Sequence, residues 1–253
     1  MTKVRELFGI NTSSKELKWE DIISSQHCPF LGKKCIKTRK SQPEISIGTC
    51  TMCYGKAEKN IIICPHRLLE KRQIFTDCLH LLTSHEPGNE LHVVSEVQIP
   101  GGNVDYFLVS ANNGKVKDFV GVELQTMDTT GTVWPERERF IESVGLDADS
   151  NVILSKNTFG MNWKMTAKTI LVQLHHKIQT FEHLNKHLVL VLQDPLLDYM
   201  RNSFSFSHVG NANLGNPLHF HSYSLEQKKE DELSLQLSTR LSTDTEGMSK
   251  CLG

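Results

Sequence analysis

The sequence predicts an α/β (α+β) protein in which a mixed sheet is flanked by helices and follows an N-terminal cysteine-rich module. Two observations lead to this prediction: the order of the periodic segments, and the crowding of cysteines into one stretch. Apolar residues recur first at helical spacing, then at strand spacing in three segments, then at helical spacing again before a last apolar strand. Such an order favours one sheet covered by helices.

The first helix is predicted over residues 64–82, where apolar positions recur every three or four residues after Pro65. Two strands follow at 92–98 and 103–110, joined by a Pro-Gly-Gly turn that indicates a hairpin. A third strand at 118–126 follows an Asn-Asn-Gly turn. The three strands therefore form an antiparallel group.

The second half of the chain adds a helix and a buried strand. Residues 166–183 place apolar side chains on one helical face, and the run Leu-Val-Leu-Val-Leu in 187–192 is apolar on both faces. The predicted division is a cysteine-rich module with the first helix (1–80), a core (81–225) and a polar tail (226–253), which we expect to be a frayed helix or disordered.

Composition narrows the class of protein. The chain has 253 residues, 28 Lys and Arg against 29 Asp and Glu, and 38% hydrophobic residues, so binding to a polyanion must be local. No apolar run approaches the roughly 18 residues that span a bilayer. The first residues carry Lys3, Arg5 and Glu6 rather than the apolar core of a secretion signal, so we expect a cytoplasmic protein with no membrane contact.

Five of the seven cysteines lie within 37 residues, and these are Cys28, Cys35, Cys50, Cys53 and Cys64. In a cytosolic chain such a cluster favours a metal site over disulfides, and nearby turns could bring four thiolates into a tetrahedral cage. Five thiols are available for four positions, and packing as small hydrophobic residues is the alternative. The segment 28–72 also carries ten basic and three acidic residues, which suggests a module that faces phosphates.

The polar residues of the middle strands form the candidate catalytic group. Glu123 and Gln125 share one face of an otherwise apolar strand, and Asp105 begins the neighbouring strand just after the Pro-Gly-Gly turn. Two converging carboxylates and water make an oxygen site suited to Mg²⁺, whose bound water can attack a phosphate. Glu96, on the first strand, could complete the acidic pocket or hold a second ion.

This pattern resembles the PD-(D/E)XK nuclease core, with Asp105 and Glu123 as the acidic pair and Gln125 where a lysine usually stands. More closely, Cys28-Pro-Phe, Gly-Thr-Cys50, Cys64-Pro-His-Arg and the strand Val-Glu123-Leu-Gln-Thr-Met-Asp look like the NotI-like type II restriction endonucleases. The similarity covers about residues 28 to 130. It implies an Mg²⁺ ion on Asp105 and Glu123, Gln125 orienting the attacking water, and Glu96 as an additional acidic position.

The same resemblance implies that Cys28, Cys35, Cys50 and Cys64 bind iron, with Cys53 as an additional thiol. A cage of four sulfurs accepts zinc as readily, so the residues leave the metal open.

The implied activity is hydrolysis of double-stranded DNA at a short, GC-rich palindrome by a homodimer. The arginines and lysines considered for base or phosphate contacts are Arg39, Lys40, Arg137, Arg139, Lys164 and Lys168. Two other functions remain open from the residues alone: a metal-stabilised DNA-binding regulator without catalysis, and a PD-(D/E)XK nuclease of repair or RNA processing.

Overall fold

The computed structural model describes residues 2–14, 17–154, 158–229 and 232–253. The chain divides into two compact units. The first contains Met1–Lys71, Thr126–Asn162 and Leu225–Leu235, and the second contains Arg72–Gln125, Trp163–Ser224 and Gln236–Gly253. The first unit thus includes two segments that lie beyond residue 80, where the sequence predicts the cysteine-rich module to end.

The N-terminal part is built of short elements. They are β1 (Val4–Leu7), β2 (Ile10–Asn11), α1 (Trp19–Ser25), β3 (His27–Cys28), β4 (Lys33–Lys34), β5 (Thr38–Arg39), β6 (Gln42–Ser46), β7 (Thr49–Tyr54), β8 (Lys59–Ile62) and a 3-10 helix (Pro65–Arg72). An antiparallel sheet in the order β2-β1-β7-β8 organises this part. Its central strand, β7, is buried over five of its six residues, so the sheet forms the core of the first unit.

Longer elements follow. They are α2 (Gln73–Cys78), a 3-10 turn (Leu79–Leu81), β9 (Glu90–Ile99), β10 (Gly102–Asn112), β11 (Lys115–Leu124), β12 (Thr129–Thr130), α3 (Trp134–Ser143), α4 (Ser150–Ile153), β13 (Gly160–Met161), α5 (Trp163–His183), β14 (His187–Gln193), α6 (Asp194–Ser203), β15 (Gly210–Asn211), β16 (Leu218–Lys229), β17 (Glu232–Thr243) and α7 (Thr245–Leu252).

A seven-stranded sheet in the order β15-β17-β16-β14-β11-β10-β9 confirms the predicted mixed sheet. Strands β9, β10 and β11 pair antiparallel, as the two turn signals predict, whereas β14 pairs parallel with both β11 and β16. All seven residues of β14 are buried, which explains why that strand is apolar on both faces. The long helix α5 packs against strands β10 and β14 and also against helices α6 and α7.

The predicted first helix differs from the observed one. The 3-10 helix breaks at Glu70 and Lys71, which have non-helical backbone angles, before α2 begins. A tertiary contact lies at the break: the Glu70 carboxylate accepts hydrogen bonds from the Arg67 side chain and from the backbone N–H of Leu235, which is 165 residues away in the chain.

The C-terminal segment is also different from its prediction. Residues 226–253 are not a frayed helix or disordered tail, because β16 ends there and is followed by β17 and α7; residues 230 and 231 lie outside the described residues. Leu233, Leu235, Leu241 and Met248 are buried, so sparse apolar residues at strand and helix spacing provide enough contact to order this segment. Within the described ranges, no helix is long and apolar enough to cross a membrane.

Candidate active site

Asp105 and Glu123 come from neighbouring strands and lie close together. The antiparallel register that pairs Tyr106 with Val122 sets Asp105 opposite Glu123 at the next step. There the Asp105 side chain enters the gap between the strands, and its Oδ2 accepts a 2.8 Å hydrogen bond from the backbone N–H of Leu124. The carboxylate of Asp105 is therefore fixed at the end of β11, beside that of Glu123.

Glu123 is buried, with 5% of its surface exposed, yet it carries a carboxylate. The pKa of Glu123 is raised to about 7: burial and the neighbouring charge of Asp105 raise it, and together they outweigh the hydrogen bond and ion pair with Lys177, which lower it. Two like charges held together in a poorly solvated place create a demand for a cation. This is the electrostatic property expected of a divalent metal site.

Lys177 meets that demand in the structure, and the sequence analysis did not identify it. Its Nζ lies 2.6 Å from Oε1 of Glu123, and both side chains are buried. Lys177 lies on the buried face of α5, three residues after Leu174 and four before Phe181. A lysine at a position where helical periodicity demands an apolar residue was the signal that could have found it.

The hairpin turn approaches α5 closely, and glycine makes this approach possible. A Cβ on Gly101 would lie 2.3 Å from the carbonyl oxygen of His176, and Gly101 has a φ of +98°. Thr180 also donates a 3.0 Å hydrogen bond to the carbonyl of Pro100. The turn between β9 and β10 is therefore fastened to the helix that carries Lys177.

The two remaining predicted site residues, Gln125 and Glu96, are more exposed than Glu123. Gln125 follows β11 directly and is half-buried, with its backbone N–H donating to the carbonyl of Val191 at 2.9 Å. Glu96 is exposed on the edge strand β9 and has a φ of +55°. The register on either side of it sets Glu96 opposite Asp105.

The four predicted cysteine ligands are all buried free thiols. A hydrogen bond from the Cys50 thiol, aided by the Lys37 charge and by backbone N–H groups of His66 and Arg67, lowers the pKa of Cys64 to about 6. That hydrogen bond, with burial, raises the pKa of Cys50. The thiols of Cys50 and Cys64 are thus in hydrogen-bonding contact.

Cys28 extends the pair. Burial raises the pKa of Cys28, against hydrogen bonds that its sulfur accepts from the backbone of Leu31 and Phe30, and its charge interacts with those of Cys35 and Cys64. The β3–β4 hairpin pairs Cys28 with Lys33 and His27 with Lys34, and Cys35 follows at its open end, where its backbone N–H donates to the carbonyl of Gln26.

Cys53 makes a different contact from Cys50 and Cys64. Its sulfur accepts a 3.4 Å hydrogen bond from the guanidinium of Arg5. In the part of the chain that the structure describes, no three or more His, Cys, Asp or Glu side chains are grouped so that they could hold a metal ion.

Basic residues of the first unit surround an aromatic ring. The guanidinium groups of Arg39 and Arg137 lie 4.6 Å and 4.4 Å from the centroid of Trp134. Arg137 is buried, donates to the carbonyl of Ile47 and pairs with Glu138 at 2.6 Å. Its guanidinium is therefore committed to the protein.

Arg139 is likewise bonded to Glu136, at 2.8 Å, and to the carbonyl of Ile153. Arg39 and Lys40 instead border a cleft of about 790 Å³ that also includes Lys37 and Trp134. Lys164 and Lys168 are exposed on α5 in the second unit. Of the six basic residues considered from the sequence, Lys40, Lys164 and Lys168 are exposed, Arg39 and Arg139 are half-buried, and Arg137 is buried.

The sequence was compared with curated proteins and with models of protein families. A search of curated proteins finds no match. A family model described as "Restriction endonuclease NotI" matches residues 24–231, which is most of the chain and includes all of the candidate residues above. The chain therefore belongs to the NotI restriction endonuclease family and is a type II site-specific deoxyribonuclease, an enzyme that cleaves double-stranded DNA at a specific sequence.

Proposed function

We propose that this enzyme has a PD-(D/E)XK core and uses Mg²⁺ to cut a short, GC-rich palindrome as a homodimer. The observation that carries the proposal is the convergence of Asp105 and Glu123 where β10 and β11 separate. Both acids come from adjacent strands, and like charges at this proximity favour a shared cation.

The donor set fits magnesium. Mg²⁺ in proteins commonly keeps several waters and takes one or two carboxylates together with phosphate oxygens of the substrate. Asp105 and Glu123 would hold the ion, and Glu96, opposite Asp105 on β9, would add negative charge nearby. Bound there, the ion supplies a polarised water and positive charge for the phosphate oxygens.

The residues of this chain then position the reactants. Gln125 lies two residues after Glu123, on the same face of the strand, from where its amide would orient the attacking water. The water oxygen forms a bond to phosphorus and the bond to the 3′ oxygen breaks. That oxygen takes up a proton, so the products are a 5′-phosphate and a 3′-hydroxyl.

The basic cleft beside Trp134 is the proposed DNA contact of the first unit. Arg39 and Lys40 border it, and arginine or lysine can pair with O6 and N7 of guanine, as a GC-rich site would require. One active site per chain must cut two strands. A two-fold symmetric dimer on a palindrome satisfies this requirement.

The cysteine cluster is proposed to bind iron or zinc through Cys28, Cys35, Cys50 and Cys64. The contact between Cys50 and Cys64, the lowered pKa of Cys64 and the backbone N–H groups directed at three of the sulfurs support metal ligation here, although burial raises the pKa of Cys28 and of Cys50. A metal there would stabilise the short hairpins that carry the basic residues.

Conservative variants test the catalytic assignment. Asp105→Asn retains an oxygen that can accept from Leu124, and Glu123→Gln retains the shape of the side chain, so both should fold. We expect each to lose cleavage of GC-rich genomic DNA in Mg²⁺ by at least about a hundredfold, as for removal of a group that acts in the transition state. Retention of DNA in a gel shift with Ca²⁺ measures binding separately.

Glu90→Gln is the matched control, because Glu90 is an exposed acid on β9 and pairs only with His92 at 3.0 Å among the contacts described. It should cut like the parent enzyme. If Asp105→Asn or Glu123→Gln cuts DNA as fast as the parent enzyme, the replaced carboxylate has no catalytic role. Mapped fragment ends would also show whether the sequence is a palindrome and whether it is rich in G and C.

A further inference from the structure

We propose that Lys177 is a positioning residue of the nuclease site, which supplies from helix α5 the positive charge that Gln125 does not carry on strand β11. This inference rests on the proposed function, since it assigns Lys177 to the same carboxylates. It goes beyond the family pattern, in which the charged residue belongs to the strand and follows the second acid.

The first support is the contact itself. Nζ of Lys177 lies 2.6 Å from Oε1 of Glu123, and the exposed fractions of the two side chains are 7% and 6%. Lysine is almost never buried unless it is paired. A lysine without a buried partner would extend its flexible side chain to solvent. The ammonium of Lys177 instead contacts Glu123, the carboxylate that is proposed to hold the ion.

The second support is that the surroundings hold the lysine in place. Gly102, whose Cβ would come within 3.3 Å of Lys177 Cε, leaves room for the stem beside the turn, and Gly101 lies against the backbone of His176. Thr180 binds the carbonyl of Pro100 one turn further along α5. The β9–β10 turn and α5 thus set the distance between Lys177 and the strand ends that carry Asp105 and Glu123.

The third support is charge. Asp105 and Glu123 repel each other in a poorly solvated place, and a fixed positive charge beside them orients Glu123 and reduces the repulsion before substrate arrives. Gln125 stands two residues after Glu123 on the same strand face but is uncharged. Lys177, on the helix, therefore brings a positive charge to the same carboxylates that a lysine at position 125 of the strand would contact.

A core ion pair that only stabilises the fold would show the same contact, so the test relocates the charge. The variants are Lys177→Met, Lys177→Gln and Lys177→Met combined with Gln125→Lys, with single-turnover cleavage measured in Mg²⁺. We expect Lys177→Met and Lys177→Gln to cut about a hundredfold more slowly. The double variant should recover at least tenfold, since its new lysine stands beside Glu123.

Two readouts besides activity accompany the rates: DNA binding in Ca²⁺ by gel shift, and Ca²⁺ affinity of the enzyme–DNA complex by calorimetry. Both should stay within about threefold of the parent in the folded variants, because Asp105 and Glu123 remain. If Lys177→Met unfolds, Lys177→Gln, which can still donate a hydrogen bond to Glu123, decides the comparison.

Cleavage at the parent rate by a folded Lys177 variant overturns the inference, as does a folded double variant that stays as slow as the single one. Asp105→Asn and Glu123→Gln in the same assay distinguish failure of the Lys177 role from failure of the whole proposed site. If they are inactive while Lys177→Met cuts normally, only the role of Lys177 fails. If all of them cut normally, the proposed site fails as a whole.

Discussion

The guanidinium of Arg39 lies 4.6 Å from the ring centroid of Trp134, while that of Arg137 lies 4.4 Å from the same ring. The two arginines differ in what else they contact. Arg137 is buried and bonded to Glu138 and Ile47, whereas Arg39 is half-buried and its NH1 is bonded to Gln42 at 2.5 Å. Because only Arg39 borders the basic cleft with part of its side chain exposed, we expect the two residues to have different roles.

Arg39→Ala should weaken DNA binding and leave the fold intact. Loss of one phosphate contact reduces the slope of log K against log salt by about 1, and loss of a base contact costs about 1–3 kcal/mol of discrimination. Binding measured at several salt concentrations, together with the melting temperature, separates these effects. Unchanged affinity at every salt concentration would place Arg39 outside the DNA interface.

Arg137→Ala is the matched comparison and should act on stability. Its removal leaves the buried Glu138 carboxylate without its cation, and breaking a buried pair costs about 3–5 kcal/mol. Chemical denaturation measures the loss. A stable Arg137→Ala protein with weakened DNA binding would instead assign the DNA contact to Arg137.

Replacement of single cysteines should separate ligands from bystanders. Cys50→Ser and Cys64→Ser remove members of the thiol pair and should abolish bound iron or zinc and lower the melting temperature. Cys53→Ser should keep the metal, because Cys53 contacts Arg5 instead. Metal content by elemental analysis gives the answer, and loss of metal in Cys53→Ser with full content in Cys50→Ser would reverse the assignment.

Two buried histidines should make stability depend on pH. Burial lowers the pKa of His221 to about 3 and that of His219 to about 4, and both residues lie on β16. The unfolded chain takes up protons near pH 6.5, so the stability due to the neutral rings is complete above that pH. It is lost as the pH falls toward the folded pKa values.

Each histidine should therefore cost about 1.4 kcal/mol per pH unit between about pH 6.5 and its folded pKa. His221→Leu should reduce the fall in unfolding free energy between pH 6.5 and 5 by about 2 kcal/mol. Denaturant titration at both pH values measures the difference. The exposed His27→Gln serves as control, and an equal pH dependence in His221→Leu and the parent would contradict the prediction.

Gly101→Ala should loosen the hairpin turn from α5. The added Cβ would lie 2.3 Å from the His176 carbonyl oxygen, and the residue would also have to keep a φ of +98°. Gly114→Ala, in the β10–β11 turn, is the control, because its φ is +72° but nothing lies within 4 Å of the new Cβ. We expect about 1–2 kcal/mol of destabilisation for Gly114→Ala and more for Gly101→Ala, with slower cleavage in the second only.

The sequence could predict the central sheet because each signal is local. The Pro-Gly-Gly and Asn-Asn-Gly turns and the alternation along β9, β10 and β11 determine an antiparallel group, and the continuous apolar run of β14 requires burial on both faces. The same alternation placed Glu123 and Gln125 on one face. These signals involve residues that are close together in the chain, so they can be recognised without knowledge of distant contacts.

The C-terminal strands were missed although a local signal was present. In β17 Leu233, Leu235 and Leu237 alternate with polar residues and Leu241 follows, but the many serines, threonines and charged residues resemble a polar tail, and burial depends on pairing with a neighbouring strand. The break after Arg67 likewise depends on Glu6 and Leu235, which lie far away in the chain.

The sequence by itself determined the strands β9 to β11, helix α5 and the buried strand β14, the acidic residues Asp105 and Glu123, and the cysteine-rich segment, because each depends on residues that are close together in the chain. Only the tertiary structure decided that Lys177 meets Glu123, that Cys53 turns to Arg5 and that Arg137 is committed to Glu138. A charged side chain takes its partner from whichever element folds against it, and that choice is made by packing across tens of residues.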